Sequence, residues 1–290
     1  MTKRPQILAS GGVILRERKG RRQVLLIYRK SYKDWSLPKG KGAADEYFPE
    51  TAVREILEET GVASRLDLRL TSIRYTVSKG LKAVHYWRGT VVKQSRREPD
   101  AEVERAAWFD VEAAIARVSY DDEREVIREA LAKPATTTLI IVRHAKAMLR
   151  KDWSGPDQKR RLTGRGRRQA QDLIRLFESF GITHLKSSSA RRCMDTLAPY
   201  AQAHGITVEA IDLFTEEEGT KHPGKVQARM AQIAANLEGP TVVCGHRPVL
   251  PSMYAGLGLA ARPMVVGEAL VIHIDADGAI VRSEILKPTA

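Results

Sequence analysis

Residues 40–62 read GKGAADEYFPETAVREILEETGV, the densest chemical pattern in the chain. Pro49 and Glu50 open an apolar-periodic run and Gly61 stands just beyond it, which predicts a helix over 49–60. On that helix Glu55, Glu58 and Glu59 sit at i, i+3 and i+4, so three carboxylates share one face. Like charges at this spacing cost about 0.2–0.5 kcal/mol per pair. They also crowd the helix C-terminus, which prefers cations. A bound divalent cation would remove both penalties, and an all-oxygen donor set favours Mg²⁺ or Mn²⁺ over zinc. Taken alone, the three glutamates would also suit a solvated helix face.

Working outward, residues 6–15 and 23–29 are apolar, branched and separated by a Gly/Arg-rich loop, so they read as two strands. Residues 66–78 and 83–93 form another such pair, and a helix over 110–132 closes the region. The segment LAKPATTT (131–138), with Pro134 and a threonine run, reads as a linker. Beyond it lie a buried-strand pattern, TLIIVRH (138–144), helices near 164–180 and 190–204, and a strand at 240–244. This alternation argues for a parallel sheet covered by helices. The expectation is an α/β protein of two domains, 1–134 and 138–290.

The 290-residue length agrees with two domains at roughly 150 residues each. With 43% hydrophobic and 29% charged residues the chain reads as an ordinary globular protein. No apolar run approaches the roughly 20 residues of a membrane span. The start, MTKRPQILASGGVIL, has too short an apolar stretch for a signal peptide, so a cytoplasmic location is expected. Cys193 and Cys244, the only two cysteines, exclude a disulfide framework and a cysteine-built zinc site. The net charge of +13 draws polyanions. Aromatics are only 6% and no zinc-finger, RNP or basic-zipper pattern occurs, so a small polyphosphate is preferred to nucleic acid as partner. The basic runs at 16–22 and 159–168 also suit solvated faces.

Residues 40–62 resemble the Nudix signature, G-x5-E-x7-R-E-U-x-E-E-x-G-U with U aliphatic, at Gly40, Glu46, Arg54, Glu55, Ile56, Glu58, Glu59, Gly61 and Val62. The resemblance implies an α/β/α sandwich with a mixed sheet, and Mg²⁺ held by Glu55, Glu58 and Glu59. Gly40 would shape the metal loop and Arg54 would orient a glutamate. The general base stays open among Glu58, Glu59 and a carboxylate outside the box, for which Glu102 is the candidate, counted also as a metal ligand. Trp35-Ser36-Leu37-Pro38-Lys39-Gly40 and Lys82-Ala83-Val84-His85-Tyr86 look like the W-x-L-P-K-G and K-x-V-x-Y elements of Nudix enzymes acting on dinucleoside polyphosphates. That likeness makes Lys39, Lys82 and Tyr86 substrate contacts. By residue type alone, Tyr86 and Trp87 suit a core.

In the second half Arg143-His144 follows the strand TLIIV, where open α/β sheets bind ligands. LTGRGRRQA (162–170), Ser187-Ser188-Ser189-Ala190-Arg191-Arg192 and Cys244-Gly245-His246 come after it. The serines are good helix caps, and helix N-termini bind phosphate. Together these motifs resemble the histidine phosphatase superfamily (phosphoglycerate mutase-like, in the compact SixA-like form), which implies an α/β/α domain with a mostly parallel sheet. On that resemblance His144 is a nucleophile passing through phosphohistidine, Arg143, Arg192 and His246 stabilise the phosphoryl group, and no metal is needed. Ser189 replaces the family's usual proline, and the general acid stays open among Glu216, Glu217 and Glu218.

The order of the two domains resembles bacterial two-domain MutT-type proteins. That implies Mg²⁺-dependent hydrolysis of 8-oxo-guanine nucleotides, with the second site removing or gripping a phosphate. The alternatives are a dinucleoside polyphosphate hydrolase whose second domain only binds, and a non-catalytic polyphosphate or RNA-end binder. Self-association with sites shared between chains is a further expectation.

Overall fold

The computed structural model describes residues 7–289. Gln6, where the first strand is expected to begin, lies outside them, as does Ala290. The chain divides into two compact units that meet between Ala135 and Thr136.

The first unit is built on one mixed sheet. Strands β1 (Ile7–Arg18), β2 (Arg21–Arg29), β3 (Asp34–Ser36), β4 (Lys39–Lys41), β5 (Val62–Arg69), β6 (Ile73–Val77), β7 (Gly80–Gln94) and β8 (Arg105–Asp110) join it, with the spine ordered β3-β2-β1-β7-β5. Only the β1–β7 pair is parallel. Helices α1 (Phe48–Thr60), α2 (Val111–Arg117) and α3 (Asp121–Ala132) cover it. Strand parity places α1 and α3 on opposite faces. Gly12 meets Ile56 of α1, so a Cβ there would lie 2.8 Å from that side chain. On the other parity Tyr86 and Arg88 reach Glu123 and the Ala130 carbonyl of α3. Arg88 also binds the carbonyls of Lys133 and Pro134, so this unit holds its own end of the linker.

Two expected elements are interrupted. The helix expected over 110–132 breaks after Arg117, because Ser119 leaves it to exchange hydrogen bonds with the backbone of Trp35. The strand expected over 66–78 breaks at 70–72, where the Thr71 amide donates to Glu129 of α3 rather than to a ladder. The helix expected at 49–60 ends as read: Gly61 takes φ +72° and its amide closes on Leu57. That left-handed geometry favours glycine.

The second unit has a six-stranded sheet made of β9 (Thr136–Arg143), β10 (His184–Ser188), β11 (Val208–Ile211), β12 (Thr241–Gly245), β13 (Ala269–Asp275) and β14 (Ile280–Leu286), ordered β11-β10-β12-β9-β13-β14. The first four in that order run parallel, β13 pairs antiparallel with β9, and β14 pairs antiparallel with β13. Helices α4 (Gly164–Ser179) and α5 (Arg191–His204) lie on one side; α6 (Glu216–Lys221), α7 (Pro223–Ala235) and α8 (Leu250–Ala255) come later in the chain. Val243 packs with Met230 and Met253 of α7 and α8. Its neighbour Cys244 faces Cys193 and Thr196 of α5, so helices cover both faces. The parallel strands deliver Arg143-His144, Ser187-Ser188 and Gly245-His246 to one sheet edge, as open α/β sheets do with ligand-binding residues. Among the described residues no helix is long and apolar enough to cross a membrane.

Candidate active sites

On α1 a single guanidinium gathers the acidic groups. Arg54 donates to Glu46 (2.6 Å), to Glu55 and Glu58 (2.9 Å each), and to the Lys41 carbonyl (3.0 Å). Glu46 also accepts from the Ala43 amide and the Thr51 hydroxyl, and Arg54 holds its carboxyl down at about 2. Glu55 lies against the backbone of Gly40, where a Cβ would stand 1.9 Å from a carboxylate oxygen, so only glycine leaves Glu55 this position. Glu59 turns inward, accepting the Lys39 amide at 2.7 Å. Burial, with Glu55 and Glu102 nearby, pushes its carboxyl up to about 8. Burial likewise raises Glu55, reinforced by Glu58 and Glu102. Glu58 is exposed.

Glu102 sits on the loop after β7, in the electrostatic field of both raised carboxyls. Arg97, which the sequence did not single out, pins that loop: its side chain donates to the carbonyls of Glu58 and Val103. Asp100 completes the turn by accepting the Glu102 and Val103 amides. Oxygen donors whose acidity is suppressed by burial and by one another fit a hard divalent cation, because the cation supplies the charge they lack.

The expected substrate contacts separate. Lys39 and Tyr86 are buried, not presented to a ligand. Lys39 Nζ pairs with Glu123 at 3.0 Å, and the Tyr86 hydroxyl donates to the same carboxylate at 3.1 Å. Glu123 takes the Leu37 amide as well, so this cluster locks β3, β4, β7 and α3 together. The structure thus gives both residues a buried partner in Glu123. Lys82 differs: it is half-buried near the Tyr75 ring, and burial plus the charges of Lys39, Arg29 and Lys41 lower its pKa.

The second site lies at the ends of β9 and β12. His144 is buried, and its Nδ1 is 2.8 Å from the Ala145 carbonyl. That contact places the proton on Nδ1 and leaves Nε2 with a free lone pair. Burial, together with Arg192, Arg143 and Arg160, lowers its pKa to about 3, so it is a neutral imidazole at physiological pH. His246 is lowered to about 2 by burial and by Arg192, and its ring lies 5.2 Å from that of His144. The LTGRGRRQA motif holds the loop that carries His144. Thr163 caps α4 and donates to the Lys146 carbonyl, Gln169 accepts the Lys146 amide, and a Cβ on Gly166 would stand 2.0 Å from that carbonyl.

Cations surround His144. Arg143, Arg160 and Arg247 line one pocket of about 320 Å³ with His144. Arg192 is fully buried, donating to Asp157 and to Glu216 at 3.0 Å. The Nε groups of both Arg143 and Arg192 are buried without a partner, an arrangement that an anion would complete. Of the three candidate acids the structure brings only Glu216 here, 3.5 Å from His246. Glu217 and Glu218 are engaged with Lys221 instead. Among the described residues, the one group of three metal-capable side chains drawn within 4.8 Å is His144, Glu216 and His246. With Arg143, Arg150, Arg160 and Arg247 lining it and Arg192 beside Glu216, the pocket suits an oxyanion better than a cation.

One motif does less than expected. The serines do not cap α5, whose N-cap is Ala190 without a side-chain bond. Ser188 instead contacts His246 Nε2 at 2.8 Å, orienting that ring. Arg150, Arg160 and Arg247 were not legible as site residues, since nothing in a basic run distinguishes a pocket arginine from a solvated one.

A carboxylate-lined helix in a mixed-sheet sandwich, with a histidine–arginine pocket at a parallel-sheet edge later in the chain, defines a two-part phosphoric-anhydride enzyme. Residues 7–131 match the NUDIX domain and residues 139–240 the histidine phosphatase superfamily, branch 1. The 8-oxo-(d)GTP phosphatase of Mycolicibacterium smegmatis is 36% identical over 234 residues, 80% of this chain and 71% of that protein. The chain belongs to the Nudix hydrolases, in the form that carries a histidine phosphatase domain behind the Nudix domain. Among solved structures, a C. elegans Ap4A hydrolase is similar over 43% of this chain and 96% of its own (23% identity, TM-score 0.40). The protein histidine phosphatase SixA is similar over 52% of this chain and 97% of its own (18% identity, TM-score 0.45). Nudix hydrolases as a family use a divalent metal, typically Mg²⁺.

Proposed function

We propose that the chain hydrolyses oxidised guanine nucleoside polyphosphates at the Nudix unit with Mg²⁺, and that the histidine unit then removes a terminal phosphate from the product. The observation that carries this reading is a pair of sites with opposite electrostatic demands: carboxyls held short of charge on α1, and buried Nε groups of Arg143 and Arg192 that lack a partner beside a neutral His144. The 8-oxo-guanine substrate rests on the M. smegmatis relative, which is named for it.

At the first site Glu55, Glu58 and Glu59, with Gly40, would hold the metal, whose charge neutralises phosphate oxygens. Arg54 fixes the directions of Glu55 and Glu58, and Glu46 fixes Arg54. Glu59, raised to about 8 by burial, keeps its proton at neutral pH and would release it in order to ligate a cation. Glu102, on a loop that Arg97 steadies, is the carboxylate outside the helix that would take a proton from water.

At the second site His144 Nε2 attacks the terminal phosphorus. An N–P bond forms as the P–O bond to the nucleotide breaks, and the nucleotide departs as a phosphate anion. Arg143 and Arg192 supply donors to the phosphoryl oxygens. Water then attacks phosphorus, the N–P bond breaks, and inorganic phosphate leaves. Glu216 is the group positioned to accept that water's proton.

Of the residues on which the dinucleoside polyphosphate alternative leans, Lys39 and Tyr86 are buried against Glu123 and Lys82 is half-buried. A chromatographic time course for 8-oxo-dGTP and diadenosine tetraphosphate with Mg²⁺, on wild type and His144→Ala, tests the reading. Preference for the oxidised nucleotide, with a diphosphate accumulating in the variant, is expected. Preference for the dinucleotide with unchanged products would overturn it.

A further inference from the structure

Beside the phosphate pocket lies a second cavity of about 580 Å³ to which the phosphoryl chemistry assigns no role. Arg150, Glu216 and Pro248 border both spaces, and Arg192 borders the larger one. A group attached to a phosphate held at His144 would therefore enter this cavity directly.

The cavity carries an aromatic wall. Trp153, in the loop between the 3-10 turns Arg150–Asp152 and Asp157–Lys159, is partly exposed and lines it. Its indole N–H donates to the Pro156 carbonyl at 3.1 Å, which fixes the plane of the ring. Gly155 packs on the indole: a Cβ there would stand 3.2–3.3 Å from three ring atoms. The ring is thus held in orientation before any ligand arrives. Gln158 offers an exposed amide on the same wall, and no described residue bonds to it. The loop itself is tied to the phosphate site, because Asp157 accepts from Arg150, Arg160 and Arg192 together.

We propose that this cavity is a nucleoside subsite of the second unit, with Trp153 as the platform on which a purine base stacks and Gln158 as the amide that meets the base edge. The proposal rests on the reading of the second unit as a nucleotide-phosphate pocket. It makes the unit selective for nucleoside phosphates over base-free ones, which a phosphate clamp by itself is not. Stacking of a base on an aromatic side chain is worth about 1–3 kcal/mol on alanine substitution, or roughly 5- to 150-fold in affinity.

The test is calorimetric binding of GDP and of inorganic pyrophosphate to the full chain in EDTA, which leaves the Nudix unit without metal. Wild type, Trp153→Ala and Trp153→Phe are compared, with Arg192→Ala marking binding to the second unit. Trp153→Ala is expected to weaken the Arg192-dependent GDP binding by about tenfold. It should leave pyrophosphate binding unchanged, and Trp153→Phe should restore most of the loss. Equal weakening of both ligands would show that the indole only props the loop, and no weakening of GDP would show that the base lies elsewhere; either result overturns the subsite while leaving the phosphate pocket standing. If neither ligand shows Arg192-dependent binding to wild type, the phosphate-pocket reading falls and the subsite with it.

Discussion

The two units build their candidate sites from opposite charges. The first concentrates carboxyls on α1 and raises Glu55 and Glu59 by burial, so it presents a deficit of positive charge. The second concentrates guanidinium groups around buried imidazoles and lowers His144 and His246, so it presents a deficit of negative charge. The difference shows that burial, rather than residue type, makes each site demand its ligand. A solvated glutamate or histidine would titrate normally and ask for nothing. It also predicts that each site can be silenced without touching the other.

The sharpest break of that comparison is His144→Ala. Removing the proposed nucleophile should reduce phosphate release from a nucleoside diphosphate by at least about a thousandfold and abolish acid-labile phosphoenzyme, with Mg²⁺-dependent triphosphate hydrolysis intact. Loss of both steps would mean that the units share one composite site. Next in size, Glu58→Gln should lower Mg²⁺-dependent hydrolysis by about a hundredfold, since a metal site contributes several kcal/mol to charge stabilisation. Glu58 is exposed, so the unfolding midpoint should not fall; retained activity would move the metal elsewhere.

These residues were legible in sequence because their geometry is local. Helical periodicity puts Glu55, Glu58 and Glu59 on one face, strand-end position places His144 and His246 where ligands bind, and the resemblance of short local motifs to two families singled them out. What was not legible depends on distant partners. Lys39 sits in a motif that looks like a phosphate-binding one, yet Glu123, 84 positions away and on α3, takes its charge into the interior. Similarly, the choice of Glu216 over its two neighbours is made by Arg192 and Arg150, from α5 and from the loop after β9. The break of the 110–132 helix has the same origin, a hydrogen-bond pair between Ser119 and Trp35 that no local propensity announces.

A smaller effect sharpens the arginine side. Arg192→Lys keeps the charge but loses the fork that serves Asp157 and Glu216 together, so the second reaction should slow by roughly ten- to a hundredfold while the first is untouched. A wild-type rate in phosphate-release assays would show that Arg192 acts only as a charge.

The smallest effect tests the opposed pKa shifts themselves, through stability against pH in EDTA. Glu59 is raised to about 8, so the folded chain holds a proton that the unfolded chain has released above its own value of 4.5. Its contribution is complete below about 4.5 and is lost as pH rises through about 8, with a limiting slope of about 1.4 kcal/mol per pH unit. His144 and His246, lowered to about 3 and about 2, behave in the reverse sense: their contribution is present above 6.5 and lost as pH falls toward those values. Thermal unfolding in EDTA should therefore show the Glu59 term as a falling midpoint between about pH 6.5 and 8, levelling off above 8, that Glu59→Gln flattens and Mg²⁺ reverses. The histidine term should show as a fall below pH 6 that Glu59→Gln leaves in place. If Glu59→Gln left the alkaline slope unchanged, the buried carboxyl would not be the group that waits for a cation, and the symmetry between the two sites would be lost.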